Sequence, residues 1–230
     1  MSIRNLEFST DEYYHIYNRG VERRQLFLNE SEYKRFITLL YTANSTESIH
    51  LSNYKGVALK DIPVGKPIVA VGAWCLMPNH FHLLVKEIEE DGISRYLHKL
   101  STGYSMYFNT KHHRKGALFE GPFKARHLDY DQYLKYGFTY THLNPISLVD
   151  SGWKDKRIED KKKAKDFLDK YEYSSYLDYC GVERPEGKIL NREVFPEYFE
   201  TVNDFQEMIN EWINFKEGDD NIKASIKASP

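Results

Sequence analysis

The chain has 230 residues, 32 Lys plus Arg against 34 Asp plus Glu, a net charge of −2 and 41% hydrophobic residues, which suits one domain with an appendage and a packed core rather than disorder. A mean hydropathy of −0.64 and the lack of a long apolar run exclude a membrane-spanning helix, and the opening MSIRNLEFST lacks the apolar stretch of a secretory signal. Two cysteines, Cys75 and Cys180, cannot make a disulfide framework, so reduced thiols in a cytoplasmic protein are expected.

Tyr13 to Arg19 (YYHIYNR) is rich in β-favouring aromatics and stops at Gly20, so it reads as a strand. Glu30 to Thr42 places Tyr33, Phe36, Ile37, Leu40 and Tyr41 at helical spacing. Ala43 to Lys66 is polar and reads as a loop insertion. Ile68 to Leu76 reads as a buried strand; Met77-Pro78-Asn79 turns the chain, and His80 to Lys86 returns as its hairpin partner. A helix is expected over about 92–109, a strand over Ala117 to Leu128 interrupted by Gly121-Pro122, and a helix capped by Asp129 or Asp131 and stopped by Pro145. After Trp153 follow a linker, a basic run at Lys161–Lys165 that looks like an exposed helix face, a short helix near Tyr173–Tyr179 and an acidic helix over about Asn191–Lys216. The order β-α-β-β-α-β-α suggests an α+β fold, a ferredoxin-like antiparallel sheet with helices packed on one face. The boundary falls after Trp153: residues 1–153 form the core domain and 154–230 a helical, acidic C-terminal extension.

Charge divides unevenly. From Glu183 onward eleven acids face six bases, a balance of −5, which leaves +3 on residues 1–182. Lys111, Arg114, Lys115, Lys124 and Arg126 cluster with three histidines and with Phe119 and Phe123, against the single acid Glu120. Clustered cations with interleaved aromatics suit a phosphate backbone and stacked bases, and they suit a solvated loop equally well. The near-neutral total is therefore no argument against a nucleic-acid partner.

Two spacings could carry chemistry. His80 and His82 flank Phe81 on a strand, so both imidazoles point to one face and could bind a divalent ion with a third ligand from elsewhere. His-x-His alone is a weak signal, and a structural role for the pair stays open. Tyr140 and Asn144 share a helix face at i, i+4, and a tyrosine hydroxyl beside a metal is a competent nucleophile towards phosphorus. By spacing alone, the reading of Tyr136 and Tyr140 as core aromatics and Asn144 as a helix end is the stronger one.

Taken together, four stretches resemble the tyrosine transposase family of the His-hydrophobic-His (HUH) type, in particular its REP-associated branch related to insertion-sequence transposases. They are Tyr14-His15-Ile16-Tyr17-Asn18-Arg19-Gly20, Met77-Pro78-Asn79-His80-Phe81-His82-Leu83-Leu84-Val85, Gly116-Ala117-Leu118-Phe119-Glu120, and Tyr140-Thr141-His142-Leu143-Asn144-Pro145, with a weaker echo at Tyr173–Tyr176. The chain departs from the family at Phe119-Glu120, where Trp-Gln is common, and its acidic C-terminal helix lies outside the match.

The resemblance implies cleavage and strand transfer of single-stranded or hairpin DNA without water or ATP. Tyr140 would attack the phosphodiester, giving a 5′-phosphotyrosine and a free 3′-hydroxyl. His80, His82 and Asn144 would hold Mg2+ or Mn2+, and Arg19, Lys111, Arg114, Lys115, Lys124 and Arg126 would contact DNA. Both a homodimer and a monomer agree with it, in a bacterial cytoplasm and on the nucleoid when DNA is bound. Two other readings compete: a non-catalytic, structure-specific DNA-binding protein derived from a transposase, and a metal hydrolase or sensor with no DNA role. The acidic tail is either a helix packed on the core or a shield over the basic groove.

Overall fold

A computed structural model describes residues 7–154 and 158–214. Four strands form one antiparallel sheet in the order β2-β3-β1-β4: β1 (Tyr13–Arg19), β2 (Val69–Met77), β3 (His80–Glu87) and β4 (Lys124–His127). The short turn after Met77 sets the β2–β3 register, pairing Cys75 with His82 and Met77 with His80. β1 then pairs Tyr17 with His82 and Arg19 with His80, and β4 pairs Lys124 with Tyr17 and Arg126 with His15.

Because side chains alternate, each strand feeds two cores. Ile16, Phe81, Leu83, Val85 and Trp74 point to one face and meet α1 (Glu30–Thr42) and α2 (Gly92–Lys111) through residues such as Phe36, Leu40, Tyr96 and Leu100. Ala70, Ala73 and Leu84 point to the other and meet α3 (Asp131–Leu143) through Leu134, Phe138 and Leu143. The helices expected on one face are therefore α1 and α2, and the second face is covered as well. Gly137 lets α3 lie close to the sheet: a Cβ there would stand 3.0 Å from Leu84 Cδ1 and 3.2 Å from Leu128 Cδ1.

The later segment joins this second core. α4 (Lys161–Leu168), α5 (Tyr176–Tyr179) and α6 (Val202–Asn214) contribute Leu168, Tyr176 and Phe205 to it. The backbone around Ser175 and Asn191 bonds the open edge of β2, with Ser175 N donating to Trp74 O at 2.9 Å and Asn191 N to Val71 O at 2.9 Å. An edge that would otherwise offer unpaired N–H and C=O groups is thereby covered. The Lys161 run does present a solvated helix face, capped by Asp160 and paired through Lys162–Asp166 and Lys165–Asp169.

Three expectations need correction. The strand foreseen over Ala117–Leu128 pairs only at Lys124–His127, with one isolated bridge from Phe119 to Gly20, because Gly121 takes φ 133° and Pro122 has no N–H to donate. The cap of α3 is Tyr130, with no side-chain cap bond; Asp131 begins the helix and its carboxylate accepts the Tyr198 hydroxyl at 2.6 Å. The end of α3 falls where it was expected, at Leu143 ahead of Pro145, and a 3-10 turn follows from Asn144 through Leu148. The acidic helix starts at Val202 rather than Asn191: Phe195 is packed over Gly72 and Pro196 follows, so that stretch is spent on the sheet. The expected end of that helix, residues 215–216, and the acids Glu217, Asp219 and Asp220 lie outside the described residues. Among the described residues no helix is long and apolar enough to cross a membrane.

Candidate active site

The second face of the sheet carries more than a core. Strand alternation puts His15, Tyr17 and Arg19 of β1 on the same side as His80 and His82 of β3, and α3 lays Tyr140 over them. The Tyr140 ring meets the His82 ring edge-on at 5.5 Å and the His15 ring at 5.6 Å, while the His80 and His82 rings lie 4.9 Å apart. Asn144 follows one turn later, its Nδ2 directed at Tyr140 O at 3.5 Å. Asn144 also lies close enough to His80 to act on its imidazole, so the structure brings together His80, His82, Tyr140 and Asn144, which span 64 positions of the sequence.

Hydrogen bonds select the lone pairs left in this cluster. His80 Nδ1 donates to Asn79 Oδ1 at 2.7 Å, which leaves Nε2 unprotonated. His82 Nδ1 and His15 Nε2 are 2.9 Å apart, and the tautomer in which His82 donates leaves a second bare Nε2. His80 Nε2, His82 Nε2 and Asn144 Oδ1 are all buried without a hydrogen-bond partner. Unmatched buried acceptors are costly unless something electropositive meets them. Burial holds the imidazoles neutral: it pushes His80 down to about 4 and His15 down to about 3, and His82 well below its ordinary value. Lys154 adds to the effect on each.

Two neutral imidazoles and an amide oxygen suit a divalent cation, with nitrogen donors favouring Mn2+ and cellular abundance Mg2+. The residues present therefore fit the metal that the resemblance implies. Among the described residues no three His, Cys, Asp or Glu side chains are placed to hold a metal ion together, so a third protein donor beside the two imidazoles would have to be of another type, such as the Asn144 amide oxygen.

Two residues of the site escaped the sequence reading as participants. His15 lies inside the Tyr14–Gly20 stretch but becomes a neighbour of His82 only through the β1–β3 register. Lys154 donates from Nζ to Tyr140 Oη at 2.7 Å, with its ammonium 4.9 Å from the ring centre. Nothing in the spacing of residues 140 and 154 announces that contact.

The basic residues separate by location. Lys124 and Arg126 alternate onto the histidine face, 5.9 Å over Tyr17 and 5.5 Å over Tyr133 respectively. Arg19 ends β1 close enough to His80 to depress it, and its guanidinium clasps Glu120 at 2.9 Å. Lys111 and Arg114 stand at the end of α2, a helix of the opposite face. Lys111 pairs at 3.0 Å with the buried carboxylate of Glu32, and Arg114 donates to Asn109 Oδ1 at 2.7 Å; Lys115 is exposed in the loop beyond.

No protein-family model matches this chain, and no curated protein does. A solved structure, that of the REP-associated tyrosine transposase bound to a REP hairpin, matches 81% of this chain and 90% of its own, with a TM-score of 0.50 and 14% identity. This chain has the same fold as that structure. At that identity the likeness concerns the path of the backbone, and the chemistry has to be argued from the side chains on the second sheet face.

Proposed function

We propose that this chain cleaves and rejoins single-stranded DNA through a covalent phosphotyrosine at Tyr140. The observation that supports it is the convergence of three unpartnered lone pairs, His80 Nε2, His82 Nε2 and Asn144 Oδ1, beside the one tyrosine of α3 that packs on the histidines. These three atoms would hold Mg2+ or Mn2+, which when bound supplies positive charge to the non-bridging oxygens of a phosphodiester. His15 orients His82 from behind, as a partner on the far ring nitrogen does for a metal-binding imidazole. Tyr140 Oη supplies the nucleophile: its bond to phosphorus forms as the bond to the 3′-oxygen breaks, and a 3′-hydroxyl can reverse the exchange because no bond energy is lost to water.

Lys124 and Arg126 line the same face and would draw the phosphate backbone across the site, with Tyr17 and Tyr133 offering stacking surfaces. Arg19 is a further phosphate contact once Glu120 releases it. Tyr140 is only 2% exposed, so DNA has to displace the side chains over its oxygen. A hairpin-bearing DNA, as in the solved complex of the similar fold, is the natural first substrate.

The test is a denaturing gel of the full chain incubated with single-stranded, hairpin-containing DNA and Mn2+. A covalent adduct is expected, absent in Tyr140→Phe and in His82→Ala. An adduct that persists in Tyr140→Phe would remove Tyr140 from the role. Salt-dependent hairpin binding with no adduct under any divalent metal would reduce the protein to a DNA-binding module.

A further inference from the structure

We infer that Lys154 is a catalytic residue, holding the phenolic oxygen of Tyr140 as an ion pair when that oxygen is negative. The inference rests on the strand-transfer reading above and assigns a role to a residue 14 positions beyond the nucleophile, outside every stretch that carries the resemblance.

Its basis is geometric. Lys154 Nζ donates to Tyr140 Oη at 2.7 Å and stands 4.9 Å from the ring centre, so the ammonium is fixed on the reacting atom and over the electron-rich ring. A lysine on a free surface loop would not hold such a position; this one is held by its own segment. Asp150 ties the segment at both ends, one carboxylate oxygen accepting from Gly152 N at 3.1 Å and the other from Glu159 N at 2.9 Å. Asp150 N in turn donates to Ile146 O at 2.8 Å, which joins the segment to the 3-10 turn that follows Asn144. Next to Lys154, Trp153 is buried in the second core, its ring 6.3 Å from that of Tyr140. The nucleophile, Asn144 and Lys154 thus belong to one continuous stretch of chain linked by these hydrogen bonds.

The chemistry calls for a cation there. A phenol attacks phosphorus as its oxyanion, and its ordinary ionisation lies near 10, well above neutrality. In cleavage the Oη–P bond forms and the P–O3′ bond breaks; the phenolic proton is released and the departing 3′-oxygen takes one up. In rejoining, an incoming 3′-hydroxyl forms the P–O bond, the Oη–P bond breaks, and the phenolate is the leaving group. Negative charge is therefore on Oη before the first step and after the second. Lys154 acts by its charge and by the N–H that it donates to Oη.

The experiment compares the wild type, Lys154→Met and Lys154→Arg at saturating hairpin DNA with Mn2+. Lys154→Met should form adduct roughly 100- to 1,000-fold more slowly in a single turnover, the loss that follows removal of one donor aimed at developing charge. It should slow the release of a purified adduct by an excess of 3′-hydroxyl strand in like measure. Hairpin affinity should change no more than about threefold, the small loss that an isolated phosphate contact carries, and Lys154→Arg should recover most of the rate. A structural lysine would lower melting temperature and binding without this split between binding and chemistry. Adduct formed by Lys154→Met at the wild-type rate, or slowed only as far as binding is weakened, would overturn the assignment.

A second measurement separates this inference from the strand-transfer reading. A phosphorofluoridate, which forms an Oη–P bond and releases fluoride with the phenolic proton, reports the nucleophilicity of Tyr140 without DNA when labelled peptides are mapped by mass. Faster labelling of Tyr140 in the wild type than in Lys154→Met supports the role of Lys154 even where no DNA adduct forms, an outcome that would defeat only the DNA reading. Neither label nor adduct on wild-type Tyr140 would overturn both.

Discussion

The two faces of the one sheet are built to opposite ends. On the α1 and α2 side, Phe81 of β3 sits 5.2 Å from Phe36 and 6.0 Å from Phe119, and the buried Tyr96 hydroxyl donates to Leu40 O at 3.1 Å. On the α3 side, the neighbours of Phe81 on the same strand, His80 and His82, keep unpartnered nitrogens in a buried setting beside an ammonium. One face gains stability mainly by dispersion, with Trp74 Nε1 an isolated unpartnered donor; the other gives some up for a cluster of lone pairs a cation can use. The lesson is that alternation along a single strand lets the chain keep a costly polar cluster only one residue from a dry core.

That contrast can be broken most severely on the dry side. Phe81→Ala should cost about 3–5 kcal/mol, read as a lower denaturation midpoint, because it empties a fully buried aromatic site. His80→Ala, one residue away, should leave the midpoint nearly unchanged, since it removes an unpartnered polar atom along with its packing. Equal losses in the two variants would show that the faces do not differ as described.

Next in size is the response to metal. Mn2+ at about 100 times its dissociation constant should stabilise the wild type by about 2.7 kcal/mol through linkage alone. Asn144→Leu should lose most of that gain while folding normally, followed by thermal denaturation with and without chelator. A full Mn2+ shift in Asn144→Leu would exclude the amide from the donor set.

A smaller effect separates the faces by pH. Burial works to raise the Glu32 carboxyl, but the Leu28 amide, Lys111 and His112 overcome it and hold it below its ordinary value of 4.5. A folded value below the unfolded one means that the unfolded chain binds the extra proton on acidification. The contribution of Glu32 is therefore whole above about 4.5 and lost as pH falls through the lower folded value. Glu32→Gln should cost about 2 kcal/mol at pH 7, and the gap should narrow below pH 4.5; a gap constant with pH would contradict the ion-pair account. Smallest is Glu120→Gln, which frees Arg19 from a partly exposed pair. Stability should move by less than about 0.5 kcal/mol, and hairpin affinity should rise a few-fold with a salt slope steeper by about one ion. An unchanged salt slope would leave Arg19 out of the DNA path.

Much of this was legible in the residue order because the signals are local. β1 and α1 fall at Tyr13–Arg19 and Glu30–Thr42, where aromatic content and helical spacing put them, and the Pro78-Asn79 turn sets the hairpin. The ends of β4 and the start of α6 were not legible: glycine permits the φ of 133° at Gly121 without dictating it, its carbonyl accepts from the distant Asn18 Nδ2 at 3.1 Å, and Phe195 packs over the distant Gly72. The basic cluster misled in part for the same reason: Lys111 and Arg126 lie 15 positions apart yet belong to opposite sides of the sheet.

Taken alone, the sequence determined the strand that aims two imidazoles one way and the helix face that pairs Tyr140 with Asn144, because periods of two and of 3.6 are properties of the backbone itself. Only the tertiary structure decided that this strand and this helix face each other, that His15 backs His82, and that Lys154 reaches Tyr140. Those contacts depend on strand order, on the close approach at Gly137 and on the clasp of Asp150, and such long-range packing leaves no local period to read.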